Sequence, residues 1–230
     1  MARRVLVAVA HGSEDIETIT VVDVLRRASA YVALATVETD DELELARKTR
    51  VVPDMRVEAA ASKDWDLIVL PGGMPGAKSL GDSKTLVGML HKQKAAHKWY
   101  GAICAAPAVA LLPHGLLPSK ATCYPSFAKE FPEGAFQHQS VVSCDHCSKS
   151  FSVGFSEFQS PVKDPQPQWN FLWRWLKLFM DWIRLRVLPM LFSSSMDTLG
   201  SEYTGTFFTN ISENSTAKHF ILVPLNVIFN

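Results

Sequence analysis

Three apolar runs, each cut off by small or turn-forming residues, limit what this chain can fold into. Residues 5–10 read Val-Leu-Val-Ala-Val-Ala and stop at His11-Gly12. Residues 67–70 stop at Pro71-Gly72-Gly73, and residues 99–103 stop at Cys104-Ala105-Ala106. Continuous apolar runs of this length, without polar alternation, are the mark of strands buried on both faces. Helical patterns lie between them. Residues 14–28 place Ile16, Ile19, Val22 and Leu25 at every third position and carry Arg26 and Arg27 where cations suit a helix C-terminus. Residues 31–37 read as another strand, 51–57 as an extended segment interrupted by Pro53, and 83–96 and 105–112 as helices. The alternation predicts a parallel sheet with helices on both faces. Ligands gather at the carboxyl ends of such strands, so the turns at Gly12, at Gly72-Gly73 and at Cys104 are expected to converge.

Charge and cysteine content narrow the function. Lys+Arg 23 balances Asp+Glu 23, which leaves no global field to attract nucleic acid or anionic lipid. Cys104, Cys123, Cys144 and Cys147 are too few and too unevenly spread for a disulfide framework, which points to a reducing, cytoplasmic setting, with the nucleus also open. Arg3-Arg4 ahead of residues 5–10 imitates a signal peptide, but the apolar stretch is too short for one. The sequons at Asn210 and Asn214 are therefore read as chance matches.

The turns themselves carry the candidate chemistry. Tyr100-Gly101-Ala102-Ile103-Cys104-Ala105-Ala106-Pro107-Ala108 places one cysteine among small residues at a sharp strand-to-helix turn, the pattern of a nucleophile elbow. A helix starting just after it is expected to aim N–H groups at the sulfur and lower the thiol pKa. The bland alternative is a buried structural cysteine. His11-Gly12-Ser13-Glu14-Asp15-Ile16-Glu17 puts Glu17 near a helix start, where a carboxylate is favoured by the macrodipole whatever its role. Leu70-Pro71-Gly72-Gly73-Met74-Pro75-Gly76-Ala77 is a glycine-rich bend whose N–H groups can bind an oxyanion.

Taken with Ala121-Thr122-Cys123-Tyr124-Pro125, these motifs resemble the ThiJ/PfpI family, most closely the branch of the parkinsonism-associated deglycase and the plant glyoxalase III proteins, over roughly residues 3–136. The resemblance implies a flavodoxin-like three-layer α/β/α sandwich. It implies that Cys104 is the nucleophile, that Glu17 touches its sulfur, and that Gly73 and Ala105 supply the oxyanion-hole N–H groups. Gly72 and Tyr124 would line the substrate pocket. An ionised carboxylate beside a thiolate opposes its formation, so Glu17 is expected to be protonated at rest. Tyr124 stands where family members often carry histidine; it can hydrogen-bond a substrate oxygen but is a poor base near neutral pH.

Beyond residue 136 the character changes. Residues 137–168 show no sustained period, and the family's Ser-Arg-Gly-Pro-Gly-Thr loop is absent from the sequence. The reading is a core at residues 1–136 followed by a divergent tail at 137–230, with part of the family domain replaced or lost and a homodimer weakened accordingly. Residues 169–192 place Arg174, Lys177, Asp181 and Arg184 on one helical face; both a membrane-surface helix and a helix covering the exposed sheet fit that stripe. Cys144-Asp145-His146-Cys147 has metal-like spacing but no second pair nearby, so no metal is expected. The resemblance implies a cofactor-independent enzyme that converts methylglyoxal or glyoxal to a 2-hydroxy acid through a Cys104 thiohemiacetal, or removes early glycation adducts. The alternatives are a redox-sensing or chaperone-like protein oxidised at Cys104, and an impaired truncated isoform.

Overall fold

In the computed structural model, residues 2–144 and 150–154 are described. Strand β1 (Arg4–Val9) lies inside the sheet, with β2 (Tyr31–Thr36) on one side and β6 (Leu67–Leu70) on the other, both parallel to it. Val5 faces Val32 and Leu67, and Val7 faces Leu34 and Val69, so the first apolar run is enclosed by two others. Outward from β2 comes β5 (Met55–Arg56); outward from β6 come β7 (Trp99–Ile103), β9 (Ser150–Val153) and β8 (Val141–Cys144). The seven strands run in the order β5-β2-β1-β6-β7-β9-β8, and β8 against β9 is the antiparallel pair of this sheet. A separate hairpin joins β3 (Leu43–Glu44) to β4 (Arg50–Val51).

Side chains alternate across each strand, and both faces are buried. Leu6, Ala8, Ala33, Ile68, Leu70, Tyr100 and Ala102 form one face of the core with α2 (Val57–Ala60), α3 (Gly76–Asp82) and α4 (Lys84–Ala95). On the other face of β1, Val5, Val7 and Val9 are fully buried. Helix α1 (Asp15–Arg27) packs against β1 and β2 with Val21, Val22, Val24 and Leu25 turned inward. Ser83 caps α4 by accepting from the Leu86 N–H, which fixes its start where the sequence predicts. This is the mainly parallel α/β architecture expected from the alternation.

Two readings need correction. The stretch after residue 136 does contain strands: β9 pairs in parallel with β7, matching Tyr100 to Ser150 and Ile103 to Val153. Ser150 and Ser152 occupy buried positions, so no apolar run announces the strand. The bend after β6 also leads into a helix, α3, where the sequence pattern shows no element before residue 83. The helix read at 169–192, the sequons and His146-Cys147 lie outside the described residues.

Candidate active site

Strand connections leave β1 toward β2 and, later, toward β6 on its opposite side, so the crevice at the carboxyl ends of β1 and β6 is a topological switch point. The turn after β1 is tight. The Ser13 N–H donates to Ala10 O at 3.1 Å, the Ala10 N–H donates back to Ser13 Oγ at 3.0 Å, and Gly12 has φ of +74°. Helix α1 starts at once, capped by Glu14, whose carboxylate accepts from the Glu17 N–H at 3.0 Å. That start turns Glu17 inward, where it is 2% exposed.

The turn after β6 packs directly on this one. Gly73 has φ of +85°, and a Cβ there would stand 2.5 Å from both Gly12 O and the Glu14 nitrogen, so only glycine fits. The Glu14 N–H donates to Gly72 O at 3.0 Å. At the third turn Cys104 adopts a left-handed backbone with φ of +59°, a strained conformation for a non-glycine residue and the backbone geometry of an elbow turn. Its N–H donates to Val153 O at 2.8 Å, and its carbonyl accepts from the Tyr124 N–H at 2.7 Å. A Cβ on Gly72 would meet Cys104 Cβ at 2.6 Å. The three turns therefore touch, backbone against backbone.

Around the sulfur, the Glu17 carboxyl hydrogen-bonds the Cys104 thiol, and the N–H groups of Ala105 and Gly73 reach the same sulfur. The other side of Glu17 is held by the Gly72 N–H, which donates to Oε2 at 2.6 Å. Burial pushes the Glu17 carboxyl up to about 8; the Gly72 N–H pulls it back and the Glu14 charge adds to the rise. Burial, and after it the charge of Glu17, push the Cys104 thiol up, while the Ala105 and Gly73 N–H groups oppose this. The expectation of a thiol lowered by a following helix is thus corrected. The helical segment after Cys104 begins only at Pro107, as a π-helical turn, and desolvation outweighs the Ala105 and Gly73 N–H groups that do reach the sulfur. A protonated Glu17 is consistent with the carboxyl's upward shift, and it removes the charge that opposes thiolate while leaving both N–H contacts in place.

Residues 3–153 match the model of the DJ-1/PfpI family. The chain belongs to that family. It is 41% identical over 141 residues to protein DJ-1 homolog B of Arabidopsis thaliana, covering 60% of this chain and 32% of that protein. It thus spans about a third of the length of that relative. It is 33% identical over 144 residues to the glutathione-independent glyoxalase DJR-1.2 of Caenorhabditis elegans, covering 62% of this chain and 76% of that protein. Among solved structures, Toxoplasma gondii DJ-1 in an oxidised state superposes with a TM-score of 0.66 at 33% identity, over 88% of this chain and all of that one. Drosophila melanogaster DJ-1beta gives 0.62 at 30% identity, over 68% and 84% of the two chains.

Within this DJ-1/PfpI domain the structure brings together Glu17, Gly72, Gly73, Cys104 and Ala105. Tyr124 joins them through its backbone and is half-exposed, at 42%. Cys123 does not join them as a thiol: it is buried, and its Sγ donates to Tyr124 O at 3.3 Å. Asp15, in the same motif as Glu17, has no role in the sequence reading, yet the structure buries it beside the site. It is 8% exposed and accepts from the backbone of the β3–β4 hairpin. A second carboxylate beside Glu14 in a helix's first turn was its signal, and that signal reads equally well as a macrodipole effect. Among the described residues no three metal-ligating side chains cluster, and no helix is long and apolar enough to cross a membrane.

Proposed function

We propose that this DJ-1/PfpI protein is a cofactor-independent enzyme acting on small α-dicarbonyls, with Cys104 as nucleophile and Glu17 as proton carrier. The observation that carries the reading is the meeting of one protonatable carboxyl and two backbone N–H groups on a single sulfur. The thiolate adds to the aldehyde carbon of methylglyoxal, forming the C–S bond and moving the carbonyl electrons onto oxygen. Gly73 and Ala105 N–H groups hold that oxygen while Glu17 gives it a proton. Glu17, now a carboxylate, takes the hydrogen from the aldehyde carbon as a proton and returns it to the neighbouring carbon. The hydroxyl proton passes meanwhile from the first oxygen to the second, leaving a thioester carbonyl beside a new hydroxyl. The resulting thioester is hydrolysed by water, releasing lactate and restoring the thiol. Removal of early glycation adducts begins at the same carbonyl and is the finer variant of this reading. The name of the Caenorhabditis elegans relative, a glutathione-independent glyoxalase, supports the dicarbonyl reading. Free Cys104 and Cys123 fit a reducing cytoplasm, and a homodimer is the assembly we propose.

The test is lactate formation from methylglyoxal in the absence of any added thiol. Lactate that appears with the parent protein and disappears with Cys104→Ser supports the reading; equal rates in both would remove it. A second reading is favoured by the oxidised state of the Toxoplasma gondii relative: Cys104 as a peroxide-reactive thiol whose sulfinate is held by protonated Glu17. Intact mass after mild peroxide, with and without Glu17, separates the two.

A further inference from the structure

The β3–β4 hairpin is fastened to the turn after β1 by a set of bonds that the proposed chemistry does not itself use. The Gly12 N–H donates to Glu44 O at 2.9 Å, and the Ala46 N–H donates to Ser13 O at 2.9 Å. Asp15 completes the joint: its carboxylate accepts from the Arg47 N–H at 2.7 Å and from the Thr49 N–H at 3.3 Å. On its other side the same turn is the floor of the glycine loop. A Cβ on Gly73 would meet Gly12 O, and one on Gly76 would stand 2.4 Å from the Ser13 nitrogen. The turn between Ala10 and Glu14 is thus clamped between the hairpin and the loop that presents Gly73 to Cys104 and Gly72 to Glu17.

We propose that Asp15 is a positioning residue that fixes the oxyanion loop at Cys104 by holding the hairpin against the turn beneath that loop. The proposal rests on the reading of Cys104 as the reacting group. Asp15 lies two positions before Glu17 in α1, yet its bonds point away from the sulfur, to the hairpin. Releasing the hairpin lets the turn relax, and the Gly73 N–H and the Gly72 N–H move away from the thiolate and the carboxyl they serve. Among the described residues, the charged groups facing the sulfur and its partner are Glu17 itself and Glu14, and neither is altered by a change at Asp15.

The test is residue-resolved alkylation of Cys104 and Cys123 across pH, by peptide mass, on the full chain, with lactate formation measured beside it. Cys123 is buried and serves as an internal reporter of unfolding. Asp15→Ala is expected to move the Cys104 alkylation midpoint up by about one pH unit, the effect of weakening a hydrogen bond to an anion. Turnover should fall about tenfold or more with KM little changed, and Cys123 should stay unreactive. Asp15→Asn keeps one acceptor oxygen and is expected to shift the midpoint by less than Asp15→Ala. An unchanged Cys104 midpoint in Asp15→Ala would overturn the proposal. So would a parallel rise at Cys123, because it would make the role one of stability alone. If the parent forms no lactate, the dicarbonyl reading fails while the alkylation arm still decides the role of Asp15.

Discussion

Cys104 stands in a left-handed turn where three strand ends meet, while Cys123 sits in an apolar cluster with Ala108, Ala121, Phe131 and Ala135. Burial raises the pKa of both thiols, that of Cys123 to about 12 with help from the Glu130 charge. What separates them is what opposes the cost. Cys104 has two backbone N–H groups and a carboxyl that can give up its charge; Cys123 Sγ has a carbonyl oxygen to donate to, which favours the neutral thiol. A thiol becomes a candidate nucleophile through the groups that can hold its anion, and burial alone makes it inert.

The largest effect that can break this contrast is at the sulfur. Cys104→Ser should reduce dicarbonyl consumption to background with the circular dichroism spectrum unchanged, because serine is not ionised near neutral pH. Next comes Glu17→Gln, which keeps the shape but cannot carry a proton. Turnover should drop by about a hundredfold to ten-thousandfold. The same variant has a stability signature. The folded pKa of Glu17 is raised from 4.5 to about 8, so the folded state holds a proton that the unfolded state has lost. This group's stabilising contribution is present below about 4.5 and is lost as pH rises toward 8. Glu17→Gln should therefore be more stable than the parent at pH 8 in chemical denaturation, by an amount on the order of a few kcal/mol.

Gly72→Ala would drive a methyl group into Cys104 Cβ, at 2.6 Å. It should cost about 1–3 kcal/mol of stability and slow turnover by about ten- to a hundredfold, measured by chemical denaturation and lactate formation. The smallest effect should come from Cys123→Ser, which leaves turnover at the parent rate and costs about 1 kcal/mol for burying a hydroxyl. A marked loss of turnover there would erase the distinction between the two thiols.

The buried strands were legible because β1, β6 and β7 are unbroken apolar runs, and the turns at their ends supplied the site. Cys104, Glu17 and the Gly72-Gly73 bend could be placed together from that topology and the family resemblance. The β3–β4 hairpin escaped because its strands are two residues each, too short for any period to register. Strand β9 escaped because serines fill its buried positions and its partner β7, distant in sequence, supplies the apolar surface. The upward shift of the Cys104 thiol escaped for a different reason: desolvation depends on how completely the turns close over one another, which spacing does not record.

The most direct test of the account is the pH dependence of Cys104 alkylation in the parent and in Glu17→Gln. Cys104 and Glu17 share one buried position for negative charge, so the parent rate should level off above about pH 8, where Glu17 competes for that charge. In Glu17→Gln the competitor is gone, and the Cys104 rate should keep rising with pH. Identical profiles in the two proteins would contradict the coupling on which the site's chemistry depends.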